Sequence, residues 1–261
     1  VTYVRYKPTA GGILAPANVF HPYTGRDNPI IQLPEIGGGG PPAPAFTLSL
    51  LHFEGTDGAT TMVDEIAGNT PYFNENGEID TAFFKFGGAS GRVHTSANSV
   101  IGVNLSGGNT PSGTGDWTHE YFFYLPAAPS LGGLFIGAPT GVTYGAPYAR
   151  ILWDTDFGGS WDWSFHNGTG IFMSGFDDSV GLAAATWHHG AVVRHGDNFY
   201  IYLNGSRVVN ATHVGQTMAG MSRAGLHRVT LDSNIDEQRV SNFARYTGAT
   251  YTVPTAPFTV D

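Results

Sequence analysis

The chain has no cysteine. Disulfides, thiolate metal sites and cysteine nucleophiles are therefore excluded, and stability must come from the core or from assembly. Charge is also scarce. Asp, Glu, Lys and Arg make up 13% of the 261 residues, about half the usual share of a soluble domain. The 12 basic residues are scattered singly and the formal net charge is -9, so the basic patch that nucleic-acid binding needs is missing. No apolar run approaches the roughly 20 residues that span a bilayer, and no membrane insertion is expected. Arg5 and Lys7 precede Pro8 and two glycines rather than an apolar segment, so no signal peptide is expected. No long stretch repeats with the 3.6-residue period of an amphipathic helix, and no internal repeat is present.

What the chain does have is 37 glycines, 16 prolines and 13% aromatic residues. That balance suits many short strands joined by tight turns. The clearest case runs from Trp187-His188-His189 to Arg194, turns at His195-Gly196-Asp197-Asn198, and continues through Phe199, Ile201 and Leu203 alternating with Tyr200 and Tyr202. Asn204-Gly205 is the next turn, leading into Ser206-Arg207-Val208-Val209. Phe46 to Phe53, Thr118 to Leu125, Tyr148 to Trp153, Trp161 to Phe165, Ile171 to Phe172, Leu226 to Leu231 and Ile235 to Val240 are further strand candidates. Phe83 to Phe86 leads into a turn at Gly87-Gly88-Ala89-Ser90-Gly91. About a dozen strands at this spacing predict an antiparallel sandwich or barrel.

Composition shifts near residue 45. Residues 1–45 carry Pro8, Pro16, Pro22, Pro29, Pro34, Pro41, Pro42 and Pro44, and close on Gly37-Gly38-Gly39-Gly40-Pro41-Pro42. A disordered tail is one reading of such a segment. Its apolar content favours another, an extended arm that lies on a partner. Tyr3, Tyr6, Ile13, Leu14, Phe20, Tyr23, Ile30, Ile31 and Leu33 would be the contact residues.

Four stretches carry a family resemblance. Leu50-Leu51-His52-Phe53-Glu54-Gly55-Thr56-Asp57-Gly58 with Val63-Asp64-Glu65 is the first. Lys85-Phe86-Gly87-Gly88-Ala89-Ser90 is the second, where glycines allow a close approach between strands. Gly115-Asp116-Trp117-Thr118-His119-Glu120-Tyr121-Phe122-Phe123 is the third. The fourth joins the Trp187-His188-His189 hairpin to Asn234-Ile235-Asp236-Glu237-Gln238-Arg239-Val240-Ser241, Ala244-Arg245-Tyr246-Thr247 and Pro254-Thr255-Ala256-Pro257-Phe258. In this order they resemble the laminin-G-like, concanavalin A-like jelly-roll domains of tailed-bacteriophage virion proteins, over residues 46–261. Phe123 stands where family members often carry tryptophan. Residues 126–180 have no familiar wording, and residues 1–45 lie outside the resemblance.

The resemblance implies an all-β fold, an antiparallel jelly-roll β-sandwich at 46–261 behind the N-terminal arm. It further implies a virion structural protein on the particle surface: a capsid decoration, collar, fibre or tail component. Such a protein would be held to other virion proteins by residues 1–45 and would assemble as a homo-oligomer. A carbohydrate-binding module of a secreted or cell-surface protein is the alternative. A glycosidase or alginate-lyase-like enzyme on the same fold is a more distant one.

No catalytic residue is assigned. Gly77-Glu78-Ile79-Asp80 begins like the carboxylate strand of a sandwich glycosidase, but no second glutamate follows, so it reads as a surface turn. No serine sits in a Gly-x-Ser-x-Gly elbow. His188 and His189 are adjacent, so on a strand they face opposite sides. Distant His52, His119 and His227 lack zinc-ligand spacing.

Laminin-G-like domains often bind calcium, and the resemblance aligns Glu54, Asp57, Asp64 and Asp236 with acidic turns. Asp64 and Asp236 are the calcium candidates, and capping of turn amides is the alternative role. Asp236 and Glu237 have Arg239 and Arg245 as further possible partners. Trp153, Asp154, Asp156, Trp161, Asp162 and Trp163 combine indoles with carboxylates, the pairing a glycan needs for stacking and hydroxyl recognition. Core packing is the competing role for the indoles.

Overall fold

The computed structural model describes residues 45–74, 77–94, 100–105, 113–127, 131–137, 149–154, 160–166, 171–177, 181–217, 223–227 and 233–261. The proposed contact residues of the arm, from Tyr3 to Leu33, lie outside the described residues, as does Asp156. Among the described residues there is no helix. The strands are β1 (Thr47–Leu51), β2 (Thr70–Asn74), β3 (Gly77–Asp80), β4 (Ser90–Val93), β5 (Val100–Asn104), β6 (Trp117–Leu125), β7 (Leu131–Gly137) and β8 (Ala149–Asp154). They continue with β9 (Ser160–His166), β10 (Ile171–Asp177), β11 (Thr186–His195), β12 (Asn198–Leu203), β13 (Ser206–Thr212), β14 (Arg223–His227) and β15 (Ser233–Ser241).

One large antiparallel sheet has the order β13-β12-β11-β6-β15-β4-β3, with β1 also paired to β15. A four-stranded sheet, β10-β9-β8-β7, and a three-stranded sheet, β14-β5-β2, lie next to each other through β7 and β14. The core packs between the large sheet and these two. Phe199 of β12 meets Phe165 of β9 with ring centroids 5.2 Å apart. Ile101 and Val103 of β5 join the cluster formed by Leu48, Leu51, Ile79, Tyr121, Phe123, Val192, Ile201 and Val240. The all-β jelly-roll sandwich implied by the sequence is the fold observed.

Alternation decides which side chains the core receives. On β6, Trp117, Tyr121, Phe123 and Leu125 face inward, while Glu120 and Phe122 face out. On β12, Phe199, Ile201 and Leu203 are inward, and Tyr200 and Tyr202 belong to a separate outer cluster. Gly91 of β4 is inward too, where a Cβ would stand 2.2 Å from Ile101 Cδ1 and 2.8 Å from Phe53 Cδ1. Only glycine allows the layers to meet there.

β15 organises the large sheet. Its first half pairs with β4 and its second half with β1, while β6 runs along its other side. A register shift between Asp236 and Arg239 divides the halves. Glu237 lies in this bulge with φ 52, the left-handed geometry that bulges use to re-aim a side chain. Gly77–Asp80 corrects the surface-turn reading, because it is the edge strand β3, paired in full with β4. Its middle residue Ile79 is a core residue, which a turn would not bury.

The outer face of the large sheet carries its own cover, the C-terminal segment 242–261. Phe46 and Asn242 exchange hydrogen bonds. Tyr251 N donates to Gly205 O, and Arg207 N donates to Ala249 O. Phe258 N donates to Glu237 Oε2 at 2.6 Å. The Asn204-Gly205 turn is the docking point, with φ 49 and 83 at its two residues. A Cβ on Gly205 would lie 2.6 Å from Tyr251 O.

Candidate functional site

Three groups of polar or aromatic residues come forward. The first lies on the outer face under the C-terminal segment. Glu120 Oε1 accepts from Arg239 Nε at 2.9 Å and Nη2 at 2.8 Å, with Arg245 Nε at 3.3 Å. Glu120 Oε2 accepts from the Tyr246 hydroxyl at 2.6 Å and lies 3.4 Å from His189 Nε2. His189 Nδ1 is hydrogen-bonded to the Tyr251 hydroxyl. The Tyr251 ring stacks on Tyr246 at 3.7 Å. Burial pushes the Glu120 carboxyl up, but the His189 ring, the Arg239 guanidinium and the Tyr246 hydroxyl outweigh it and hold it down to about 2.

This group has the Tyr/His/Arg composition of an alginate-lyase-like site. However, the side chains of Glu120 and His189 are 0% exposed, so no substrate can reach them. Their chemistry is that of a buried ion-pair network that ties β6, β11 and β15 to the C-terminal segment. Arg239 and Arg245 thus pair with Glu120 rather than taking the alternative partners Asp236 and Glu237. The reason is the bulge, which turns Glu237 away toward His52 Nδ1 at 2.7 Å.

His188 faces the core, tilted against Phe123 at 5.4 Å. Its Nε2 donates to Ala183 O at 2.8 Å and its Nδ1 accepts from Asn204 Nδ2 at 2.9 Å. The histidine pair is divided between the two faces of β11, and both members are buried.

The second group is the acidic turns. Asp64 accepts from Ser49 Oγ at 2.5 Å, Leu50 N at 3.0 Å, Ile66 N at 2.8 Å and Asn69 Nδ2 at 3.0 Å. Asp236 Oδ2 accepts from Lys85 N at 2.8 Å and Phe86 N at 3.0 Å, and its Oδ1 from Glu237 N at 2.8 Å. Burial pushes Asp236 up to about 7, with the Glu237 carboxylate adding to the rise against these amide donors. Both carboxylates cap turns, Asp64 with four donors and Asp236 with three. Among the described residues no three His, Asp or Glu side chains converge as metal ligands. This donor set does not fit a calcium ion, which requires several free oxygens.

Glu54 accepts from Gly88 N at 3.0 Å, and a Cβ on Gly87 would overlap its Oε1 at 1.6 Å. His52 bridges Glu237 and Glu65 Oε1, the latter at 3.1 Å. The hydrogen bond to Glu237 is the main reason its pKa is raised.

The third group is the tryptophan-aspartate set. Trp153 of β8 pairs directly with Trp161 of β9, and Ile151 with Trp163. The strand register puts positions 153, 161 and 163 on one side of the ladder. Asp154 and Asp162 fall at register positions on the other. Trp163 packs against the core cluster beside Phe165, 5.9 Å between centroids, and over Gly175, where a Cβ would come within 2.7 Å. The strands therefore bring the indole positions together, but the carboxylate positions do not join them.

A family model for the concanavalin A-like lectin/glucanases superfamily matches residues 95–246. Among solved structures, the botulinum neurotoxin serotype G binding domain is similar at TM-score 0.54 and 13% identity, over 78% of this chain and 49% of that one. The binding domain of Paraclostridial Mosquitocidal Protein 1 is similar at TM-score 0.54 and 13% identity, over 77% and 50%. Domain 4 of a GH43 extracellular arabinanase from Geobacillus stearothermophilus, solved in complex with arabinotriose, is similar at TM-score 0.50 and 17% identity, over 77% and 94%. The chain spans about half the length of the toxin binding domains it matches. No curated protein matches it. At these identities the solved structures show a shared fold, and the family model covers more than half of the sequence. The chain belongs to the concanavalin A-like lectin/glucanases superfamily.

Proposed function

We propose that this chain is a non-catalytic recognition protein of a bacteriophage particle, with a jelly-roll body that engages glycans and residues 1–45 as its anchor. The observation that carries the reading is the burial of Glu120, His189 and Arg239 beneath the half-buried Tyr246 and Tyr251. The residues best equipped for acid–base chemistry are spent on holding the body together. Support for glycan engagement comes from the arabinanase domain 4, solved with arabinotriose, which is matched over 94% of its length. Support for the anchor comes from the proline spacing and apolar content of residues 1–45, and for the particle from the wording of the four stretches in 46–261.

The test compares the full chain with one lacking residues 1–45 in particle assembly. The full chain is expected to incorporate. The shortened chain is expected to stay folded, judged by cooperative thermal unfolding, and to remain free in solution. Incorporation of the shortened chain would overturn the anchor.

A further inference from the structure

The outer face of the large sheet is covered in two places. Residues 242–261 cover the end that holds Glu120. The loop 81–88 covers Asp236, whose carboxylate takes the Lys85 and Phe86 amides. Ser90 Oγ donates to Phe83 O at 2.6 Å beside it. Past that loop a single register line crosses five strands. Trp187 pairs with Tyr124, Tyr124 with Asn234, Asn234 with Arg92, and Arg92 with Glu78. Directly paired residues share a face. Their sequence neighbours Phe123, Ile235, Val93 and Ile79 point into the core, so this row points out.

The row is amphipathic along its length. At one end Trp187 and Tyr124 are half-buried, with ring centroids 5.6 Å apart. Phe83, 50% exposed, extends the line from the loop, 5.4 Å from Tyr124. Interplanar angles of 36° and 52° make this a curved aromatic shelf. Between the two ends Asn234 is buried, its amide fixed to Asp80 Oδ2 and Ser90 Oγ at 3.0 Å each, so that it braces the row from beneath. At the other end stand Arg92 and Glu78, with His94 Nε2 2.9 Å from Glu78 Oε1. The Glu78 and His94 side chains are 34% and 31% exposed.

We propose that the Phe83–Tyr124–Trp187 shelf and the Arg92–Glu78–His94 cluster form a binding site for a neutral oligosaccharide. A few placed polar groups beside an aromatic surface are the usual make-up of a ligand site. A pyranose or furanose ring has an apolar C–H face that packs on aromatic rings and a rim of hydroxyls that both donate and accept. Arg92 only donates and Glu78 only accepts, so their pairing across β4 and β3 matches adjacent hydroxyls without a net charge. An acidic sugar would gain at Arg92 and lose at Glu78. This site rests on the glycan-binding reading above, but it places the ligand on the large sheet rather than on the strands that carry Trp153 and Trp161.

The experiment uses the full chain on an array of neutral arabino-, xylo-, gluco- and galacto-oligosaccharides, followed by titration of the best binder. Phe83→Ala and Glu78→Gln alter exposed groups and are expected to weaken binding by at least about tenfold, with the melting temperature nearly unchanged. Asp154→Asn and Asp162→Asn are expected to bind as the parent does. Unchanged affinity in Phe83→Ala and Glu78→Gln would overturn this site while leaving glycan binding intact. The absence of any binder for the parent chain would overturn glycan binding itself, and this site with it.

Discussion

At the scale of single residues, Glu120 is the hub of a buried ion-pair network. It is fully buried, and removing one partner of such a network leaves the others charged and unpaired. Glu120→Gln keeps the shape but strands the buried Arg239 cation and leaves Arg245 with Asp261 alone. It is expected to cost about 3–5 kcal/mol, read from urea denaturation. The pH profile follows from three groups. The Glu120 carboxyl is held at about 2 against an ordinary 4.5, so its stabilisation is present above pH 4.5 and is lost as pH falls through about 2. Asp236 is raised from 3.8 to about 7, so stability falls as pH rises across that interval. His52 is raised above 6.5 by Glu237 and Glu65, and its contribution, complete below 6.5, is lost as pH rises from there through its folded value. The urea midpoint is therefore expected to peak on the acid side of neutrality and fall on both sides. A midpoint that climbs steadily from pH 5 to pH 8 would contradict these assignments.

At the scale of elements, the C-terminal segment 242–261 replaces an outer layer. It stacks Tyr246 on Tyr251 above His189, places Phe258 against Phe122, and ties Arg245 to Asp261. Removing residues 247–261 would open the buried Glu120 network to water and strip the cover from Tyr202 and Phe122. Loss of the cooperative thermal transition is expected, measured by circular dichroism. A truncated chain that melts like the parent would contradict the role of this cover.

The long strands of the large sheet were legible in the sequence. β11, β12 and β13 fall where the Trp187 hairpin and the Asn204-Gly205 turn put them, because alternation and a turn with positive φ are local signals. β3 was not legible, since four residues with one buried apolar side chain carry no period. Phe83 to Phe86 leads into a turn as its glycines suggest, and Phe83 and Phe84 are exposed. Their loop is held by an Asp236 carboxylate 150 residues away in sequence. The Arg92–Glu78 row was equally hidden, because five strands contribute one residue each and only the sheet register assembles them.

At the scale of the whole molecule, a jelly-roll body accounts for the composition. A core of aromatic and β-branched residues between two layers needs few charges, and those buried are paired, as at Glu120, or held by backbone hydrogen bonds, as at Asp236. The tryptophan-aspartate set shows the limit of reading such a body from sequence. Spacing gave the shared face of Trp161 and Trp163, but the layer against which that face packs is a long-range property.

The most direct test of a recognition body without catalysis is isothermal titration of the full chain with its best array oligosaccharide. Saturable heats, with power returning to baseline after each injection, are the predicted result. Sustained heat flow from turnover, or no heat of binding at all, would contradict it.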